Sequence, residues 1–523
     1  MDQPTKYALE KFLFRRQFIL GPRFLEQFPS WKRIKVGSQN CLTVHPDLPT
    51  CQVRAQNKTI TLLGYILDPN DPGATDADIL NRLLGNLGTC DSLNEFFKYT
   101  YALGGRWLLI LEDGDEVVLF HDAMGLRQVF YTDKAACGAV WCGSQPGIIA
   151  ETLRLEMDEE AVNGYMNSDV YKNWDEYTWP GDSTPYREIK HLLPNHALYA
   201  GTGASQRYYP DANLDRLSLG DGVNETSRIL TGLMKSATSR FGLALGMTAG
   251  WDTRLILAAS REIRDRMWFF TFLMWENRSD ASVARKLLSK LGLKHHLLGY
   301  TQHMEGDFEQ IYKRNVTTAH DRWGRIGQGL YDVYPEDRVC VKGNAAEITR
   351  VRFRVPPGEK VTAKTLARFT YFKHAKDNEM MQNSFVLKHW QKWLSGTGRL
   401  YNVHILDLFY WEHWGGNFAA MTQAEFDILQ EAFTPYSCRH LLTTMLSVDE
   451  KYRNHEEPVL YRKLILKLWP EVLSEPINPP YSPPVGQRIK NQMKQAILRR
   501  THWVHWLPPG IRRLGKSLLE KIL

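Results

Sequence analysis

The first part of the chain alternates short apolar runs with polar turns, a pattern typical of antiparallel strands. A β-prone run covers residues 59–67 and ends at a cluster of Asp, Pro, Asn and Gly residues. Two further apolar runs, 107–111 and 116–120, flank an Asp-Gly turn and predict a hairpin. Between the first run and the hairpin, residues 76–86 carry apolar side chains at helical spacing. These patterns predict an α+β module, which we place at residues 1–200.

After the first module the pattern changes to strands that alternate with helices. A helix over residues 223–240 is followed by the short apolar strand 243–245, a turn and a second helix. The strand 268–273 and the helix 280–291 repeat the alternation. Strands joined by helices usually pair in parallel, so residues 215–475 are predicted to form an α/β domain with a parallel sheet and a helical C-terminal part.

Charge separates the C-terminal tail from the rest of the chain. The net charge is +7, but residues 484–523 hold nine Lys and Arg against one acid, so the rest of the chain sums to −1. A nearly neutral body gives no reason to expect nucleic-acid binding. Apolar residues interleave with the bases of the predicted tail, 476–523. This pattern favours either a peripheral membrane or protein partner, or a solvated basic helix pair that closes the fold.

The apolar runs and the cysteines predict a cytoplasmic protein. No run approaches the ~18 apolar residues of a membrane-spanning helix, and the N-terminus lacks the apolar stretch of a secretory signal. The seven cysteines are scattered and form no CxxC pair. This usage is typical of reduced thiols rather than of a disulfide framework or a zinc site.

The segment from Thr248 to Arg254 carries the candidate chemistry, because it lies directly after a predicted strand and directly before a predicted helix. Its small residues let backbone N–H groups approach an anion, and the helix N-terminus adds partial positive charge. The hydroxyls of Thr248 and Thr253 can donate to a phosphate. The carboxylate of Asp252 would repel phosphate unless a divalent cation lies between them, which suggests Mg²⁺. The alternative is an ordinary helix start with Asp252 or Thr253 as its N-cap.

This segment resembles the pyrophosphate-binding loop of the asparagine synthetase family, whose members are ATP pyrophosphatases of the N type. Five residues fall on the family pattern Ser-Gly-Gly-x-Asp-Ser: Thr248, Ala249, Gly250, Asp252 and Thr253. Residues 268–272 resemble the family's second strand, whose backbone faces adenine, and this resemblance places Phe272 at the nucleotide. The segment 280–296 resembles the helix and strand that follow. The resemblance covers most of the chain, from about Leu62 to Pro470.

A later block, from Gly343 to Glu347, resembles the family's Gly-Glu-Gly-x-Asp-Glu segment. The resemblance implies that Gly343 lies at the nucleotide and that Glu347, together with Asp252, coordinates the metal. Asn344 replaces a catalytic Glu and cannot act as a general base. Lys463 lies in a segment similar to the family's Lys-x-x-Leu-Arg, which implies contact with pyrophosphate. Glu347 and Lys463 are therefore the predicted catalytic residues.

The first module resembles the family's glutaminase domain, an Ntn-hydrolase-like sandwich. The matching segments are 104–107, 122–131 and 184–196. A glutaminase of this class uses a cysteine that becomes the first residue after Met1 is removed, and here that position is Asp2. The family's Asn-Gly-Glu oxyanion segment reads Leu63-Gly64-Tyr65. Glutamine hydrolysis by this module is therefore not expected.

The resemblance implies an ATP-dependent ligase that adenylates a carboxylate and forms an amide bond, without its own glutaminase activity. Its fold would be the sandwich followed by an adenine nucleotide α hydrolase-like synthetase domain. The expected cofactors are ATP and Mg²⁺, and the expected partners are a small-molecule or peptide carboxylate and an amine or ammonia. The alternative is a catalytically inactive family member that binds a nucleotide or a partner.

Overall fold

The computed structural model describes residues 11–174, 176–273, 278–331, 333–371 and 379–480. Contacts divide the chain into two compact units, Met1–Ile477 and Asn478–Leu523, and the fold below is that of the first unit. Asp2 and the basic residues 484–523 lie outside the described residues, so the predictions made for them stay predictions. Among the described residues, none of the helices has both the length and the apolar character that crossing a bilayer requires.

Two six-stranded antiparallel sheets build the first part of the described chain. Their strands are β1 (Phe18–Gly21), β2 (Lys32–Val36), β3 (Asn40–Val44), β4 (Thr50–Ala55), β5 (Lys58–Leu67), β6 (Gly104–Asp113), β7 (Glu116–His121), β8 (Phe130–Thr132), β9 (Cys142–Gly143), β10 (Ile189–His191), β11 (His196–Tyr199) and β12 (Ala204–Arg207). The first sheet has the order β10-β8-β9-β1-β3-β2, and the second has the order β12-β11-β7-β6-β5-β4.

Apolar side chains from both sheets fill the space between them. Leu20 and Leu42 of the first sheet share one buried cluster with Leu108 and Leu119 of the second. The alternation of apolar positions along these strands supplies this inner face. The predicted α+β module is thus confirmed as two packed antiparallel sheets with helices. The predicted hairpin is also confirmed, since β6 and β7 pair directly around their short turn.

A five-stranded parallel sheet forms the second part of the described chain. Its strands are β13 (Gly242–Gly246), β14 (Met267–Phe272), β15 (His295–Leu298), β16 (Arg338–Val341) and β17 (Ala432–Phe433). They have the order β15-β14-β13-β16-β17, and every neighbouring pair is parallel. The predicted parallel α/β sheet is therefore confirmed, with β13 at its centre.

Helices connect and cover the three sheets. They are α1 (Asp76–Thr89), α2 (Leu93–Lys98), α3 (Lys134–Cys137), α4 (Pro146–Leu153), α5 (Glu159–Ala161), α6 (Asp169–Asn173), α7 (Leu219–Arg240), α8 (Trp251–Ala259), α9 (Arg278–Lys290), α10 (Gly306–Asn315), α11 (Asp321–Leu330), α12 (Ala363–Thr370), α13 (Glu379–Gln382), α14 (Ser384–Ser395), α15 (Ile405–Phe409), α16 (Ala420–Phe426), α17 (Arg439–Leu446) and α18 (Val459–Leu468). Single turns of 3₁₀-helix cover Arg264–Arg266, Ala346–Thr349, Glu450–Tyr452 and Pro470–Leu473, and wider π-helices cover Val162–Met166 and Tyr410–Ala419.

Two helix starts differ from the predicted ones. The helix α7 begins four residues earlier than predicted, because the Ser218 hydroxyl accepts from the backbone N–H of Asp221 and caps it. The helix α8 begins at Trp251 with Gly250 as its N-cap and no side-chain cap. The interpretation of Asp252 or Thr253 as an ordinary N-cap is therefore wrong.

One hydrophobic core runs through both parts of the described chain. It contains Leu62 and Leu109 of the second antiparallel sheet, Leu233 of α7, Leu245 of β13 and Leu464 of α18. The outer face of the antiparallel sheet is thus covered by elements of the α/β part. The predicted boundary between residues 200 and 215 stays a prediction.

A buried ion cluster also joins the two parts. Arg106 of β6, 1% exposed, makes two hydrogen bonds to the carboxylate of Asp427 at 2.6 and 2.7 Å and a third to Glu431 at 2.8 Å. Arg127 donates to the other oxygen of Glu431 at 2.9 Å. Burial would raise the pKa of Glu431, but Arg127 and Arg106 hold this pKa well below its usual value. The cluster therefore stays charged, and each member depends on its partners.

We predict that Asp427→Ala lowers the free energy of unfolding by about 3–5 kcal/mol, because it leaves the buried Arg106 guanidinium without its main partner. Urea denaturation followed by circular dichroism measures the change. The matched control is Asp113→Ala, which removes a partly exposed ion pair with Lys58 and should change stability by about 0–1 kcal/mol. Equal losses in the two variants would contradict the prediction.

Candidate active site

The loop between β13 and α8 lies at the carboxyl edge of the parallel sheet. It leaves the central strand at Gly246 and enters α8 at Trp251. Met247 donates its backbone N–H to the carbonyl of Phe270 in β14 at 2.7 Å, which fixes the start of the loop. The carboxyl edge of such a sheet is where open α/β folds bind ligands, and the N-terminus of α8 gives this edge partial positive charge.

Hydrogen bonds inside the loop hold its shape. The hydroxyls of Thr248 and Thr253 are 3.0 Å apart, and the backbone N–H of Gly250 donates to the Thr248 hydroxyl at 3.2 Å. The backbone N–H of Ala249 donates to the carboxylate of Asp280 at 2.7 Å. Asp280 belongs to the segment 280–296 that resembles a helix and strand of the family, but its hydrogen bond to the loop was not predicted from the sequence. One of the backbone N–H groups predicted to bind an anionic ligand therefore already donates to a carboxylate of the protein.

A second loop, after β16, packs against the first. A Cβ added to Gly343 would be 3.2 Å from the Cβ of Asp252 and 3.4 Å from the Cγ2 of Thr253, so a larger residue there would have to push the two loops apart by a few tenths of an ångström. Ala345 then adopts a left-handed φ of 76° and turns the chain into the 3₁₀ turn that carries Glu347. The structure therefore brings together the two segments that the sequence predicts to share a site.

Arg350 lies between the two predicted metal ligands. One of its terminal nitrogens is 2.9 Å from Oδ2 of Asp252 and 3.2 Å from Oε1 of Glu347. The hydroxyl of Tyr410 donates to the other oxygen of Glu347. The second oxygen of Asp252, Oδ1, is buried and has no hydrogen-bond partner among the described residues. The sequence did not predict Arg350 as a site residue.

Burial and the guanidinium of Arg350 set the charges of Asp252 and Glu347. Burial raises the pKa of Asp252 to about 7, while Arg350 opposes the shift and Glu347 adds to it. Burial would also raise the pKa of Glu347, but Arg350 and the Tyr410 hydroxyl bring this pKa below its usual value. Glu347 is therefore held ionised, and Asp252 gains most from an additional positive charge.

The residues fit Mg²⁺ that arrives with a nucleotide better than Mg²⁺ bound alone. Mg²⁺ is usually held by one or two carboxylates together with substrate phosphates. Asp252 and Glu347 supply two carboxylates, and Oδ1 of Asp252 has no hydrogen-bond partner among the described residues. Among the described residues, no three or more His, Cys, Asp and Glu side chains are grouped as a metal site. Arg350 holds the same carboxylates in this structure, so a metal would share them with it.

A cavity of about 260 Å³ opens beside the two loops. It is lined by Thr248, Asp252, Thr253, Gly343, Asn344, Ala345, Glu347, Tyr410, Trp414, Phe418 and Ala419. One wall is polar and comes from the two loops, and the other is aromatic and comes from the π-helix Tyr410–Ala419. π-Helices are rare and frequently occur at functional sites.

The remaining predicted residues lie apart from this cavity. Phe272 ends β14, one strand from β13 on the side away from β16, and packs near Phe270 with their ring centroids 5.3 Å apart. Lys463 is exposed on α18 and does not line the cavity. The roles predicted for both residues stay predictions.

Two glycines hold the π-helix close to the antiparallel part. A Cβ on Gly415 would be 2.4 Å from the terminal methyl of Met124, and a Cβ on Gly416 would be 2.4 Å from Cδ of Pro194. In the same helix, buried Glu412 pairs with Arg207 and accepts from the Asn195 side chain at 3.0 Å. These contacts fix the back of the helix and so fix the aromatic wall on its front.

Comparisons with known proteins add little to this geometry. No protein-family model matches the chain, and no curated protein matches it in sequence. Among solved structures, similarities include the glutamine phosphoribosylpyrophosphate amidotransferase from B. subtilis complexed with ADP and GMP (10% identity, 77% of this chain and 96% of that chain, TM-score 0.21). Another is the glutamine-dependent NAD⁺ synthetase from Acinetobacter baumannii in complex with ADP (14% identity, 49% and 54%, TM-score 0.19). Such TM-scores do not define a shared fold, so these similarities carry no argument in the proposals below.

We predict that Gly416→Ala lowers the free energy of unfolding by about 1–3 kcal/mol, because its methyl group meets the rigid ring of Pro194. The matched control is Gly415→Ala, whose methyl meets only the flexible end of Met124. The control should stay within about 1 kcal/mol of the wild type, since alanine also favours the helix. Thermal unfolding followed by circular dichroism compares the two. A lower melting temperature for Gly415→Ala than for Gly416→Ala would contradict the prediction that the contact with Pro194 is the more costly one.

Proposed function

We propose that this chain is an ATP-dependent ligase that adenylates a carboxylate and forms an amide bond, without its own glutaminase activity. The observation that carries the proposal is the buried, unpartnered oxygen of Asp252. Asp252 lies in the first turn of α8, at a helix end that favours anions. It shares the guanidinium of Arg350 with a second carboxylate, Glu347. Two acids beside an anion-binding helix end are best explained by a cation and a phosphate chain that bind together.

The predicted residues divide into four roles in this proposal. The loop residues Thr248, Ala249, Gly250 and Thr253 would bind the phosphates, and the backbone near Phe272 would face adenine. Asp252 and Glu347 would hold Mg²⁺, whose charge stabilises the pyrophosphate leaving group. Lys463 would contact pyrophosphate after a movement of its exposed side chain.

The reaction has two steps. An oxygen of the substrate carboxylate attacks the α-phosphorus of ATP, and the bond to the bridging oxygen of pyrophosphate breaks. The nitrogen of an uncharged amine or of ammonia then attacks the acyl carbon, AMP leaves, and the nitrogen loses a proton to solvent. Asn344 lies at the cavity and cannot deprotonate an ammonium ion before the attack, so an amine that arrives uncharged suits the site better.

The nitrogen must come from outside the first module. The space between the two antiparallel sheets is filled by apolar side chains, and Gly64 and Tyr65 lie within strand β5. The substrate partners are then a small-molecule or peptide carboxylate and a free amine or ammonia. All seven cysteines are free thiols, which supports a reducing, cytoplasmic location.

A second candidate is a family member that binds a nucleotide or a partner and has no catalytic activity. Two observations favour it: Arg350 already pairs with both carboxylates, and Asp280 already accepts from the Ala249 N–H. Under this candidate the ion pairs persist when a nucleotide binds, and no pyrophosphate forms.

We predict that the protein releases pyrophosphate from ATP and Mg²⁺ when a suitable carboxylate is present, with hydroxylamine as the amine. A panel with aspartate, glucuronate and benzoate is a first set of probes. Asp252→Asn should lower kcat/KM by about 100-fold or more, because a preorganised charge at the reacting phosphates is lost. Asp265→Asn, whose side chain is 79% exposed, is the matched control and should leave the rate unchanged.

A second pair of variants tests the loop hydroxyl. Thr253→Val should lower kcat/KM by about tenfold, the effect of losing about one hydrogen bond to a charged group, whereas Thr253→Ser should retain most of the rate. ATP binding without pyrophosphate release from any carboxylate would favour the second candidate. Equal rates in Asp252→Asn and the wild type would contradict the proposal.

A further inference from the structure

Arg350 is held in the candidate site by contacts that do not involve the two carboxylates. Its Nη1 atom donates to the carbonyl of His455 at 3.2 Å, and its guanidinium carbon lies 5.6 Å from the centre of the Tyr461 ring. The Tyr461 hydroxyl in turn donates to the carbonyl of Ala346 at 2.6 Å. The Arg350 side chain is 5% exposed. These contacts alone give the guanidinium a defined place beside the two loops.

A single nitrogen of Arg350 contacts both predicted metal ligands. Its Nη2 atom is 2.9 Å from Oδ2 of Asp252 and 3.2 Å from Oε1 of Glu347. Mg²⁺ lies about 2.1 Å from a carboxylate oxygen, so a Mg²⁺ on this Oδ2 atom could be no farther than about 5 Å from the nitrogen. A cation that binds these oxygens would therefore lie close to the guanidinium charge.

The charges of the site do not suit a divalent cation on its own. The guanidinium of an arginine stays protonated in proteins. Arg350 therefore cancels one of the two negative charges that Asp252 and Glu347 can carry. A divalent cation alone would leave the site positively charged, whereas a nucleotide adds the negative charges of its phosphates and removes this excess.

We propose that Arg350 is a positioning residue that lets a divalent cation bind to Asp252 and Glu347 only together with the phosphates of a nucleotide. This inference rests on the proposed function and adds to it how metal binding is controlled. The guanidinium opposes the free cation and attracts the phosphates, so the cation and the nucleotide bind as a unit. When pyrophosphate leaves, its negative charge leaves with it, and the guanidinium again opposes the cation.

The test measures Mn²⁺ binding to the full-length protein, because Mn²⁺ uses the same oxygen ligands as Mg²⁺ and its free ion is counted by electron paramagnetic resonance. Without nucleotide, Arg350→Gln should bind Mn²⁺ at least about tenfold more tightly than the wild type, since a positive charge beside the oxygens is removed. Arg350→Lys keeps that charge and should stay close to the wild type. Damage to the fold would weaken Mn²⁺ binding, so a gain is not explained by a merely structural role.

A second measurement adds α,β-methylene-ATP, which cannot release pyrophosphate, and follows protein-bound Mn²⁺ by water proton relaxation. The analogue should raise the Mn²⁺ affinity of the wild type by at least about tenfold, because its phosphates offset the guanidinium. The factor should be smaller in Arg350→Gln, whose site accepts the cation without phosphates. By linkage, Mn²⁺ should tighten binding of the analogue by the same factor in each protein.

Two further variants locate the effect. Arg82 also joins two acids, Asp68 at 2.9 Å and Asp71 at 3.0 Å, but its side chain is 48% exposed. Arg82→Gln is therefore the matched control and should leave Mn²⁺ binding unchanged. Adding Asp252→Asn to Arg350→Gln should abolish the gained Mn²⁺ binding. Circular dichroism verifies that each variant is folded.

The outcomes distinguish the inference from the proposed function. A failure of the analogue to bind the wild type with Mn²⁺ would count against the proposed function, whereas the comparison of Arg350→Gln with the wild type needs no nucleotide. The inference is overturned if Arg350→Gln gains no Mn²⁺ affinity, or if Arg82→Gln gains as much. If Arg350→Gln does not fold, the wild type still decides: Mn²⁺ binding that is equally tight with and without the analogue, and that Asp252→Asn removes, overturns the inference.

Discussion

The ion pairs of Arg350 are the interaction on which the geometry of the site depends. One guanidinium joins the first turn of α8, through Asp252, to the turn after β16, through Glu347. The same side chain donates to the carbonyl of His455 at 3.2 Å and so reaches the segment before α18. Because two neighbouring, half-buried acids without a cation repel each other, this guanidinium lets the two loops approach closely.

The antiparallel part supports the site from behind. Its two sheets are packed together by apolar side chains, and its contacts with the α/β part include the Arg106 cluster and the close approach of Gly416 to Pro194. The contact at Gly416 fixes the π-helix, and the π-helix carries the aromatic wall. The antiparallel part therefore contacts the π-helix from the side opposite the candidate site.

Local patterns predicted several strands of the antiparallel part, the α/β alternation and the loop before α8, because periodicity is a property of short segments. The loop with Gly343 and Glu347 was predicted from its resemblance to the asparagine synthetase family. The local patterns did not predict the partners of these residues. Arg350 and Asp252 are 98 positions apart, and Asp280 of α9 reaches the Ala249 N–H from 31 positions later. Nothing in the local pattern of Tyr410–Ala419 distinguishes a π-helix from an α-helix, and nothing in it predicts the contacts of Gly416 and Glu412 with the antiparallel part. The start of α8 at Trp251 likewise depends on Gly250, which caps the helix without a side chain.

The central claim is that the Thr248–Thr253 loop binds the phosphates of ATP together with a cation at Asp252. Isothermal titration calorimetry of the full-length protein with ATP, in Mg²⁺ and in EDTA, tests it most directly. The account predicts saturable binding in Mg²⁺ that weakens by at least about tenfold in EDTA, since phosphate beside Asp252 and Glu347 is then repelled. No binding in Mg²⁺, or equal binding in both conditions, would contradict it.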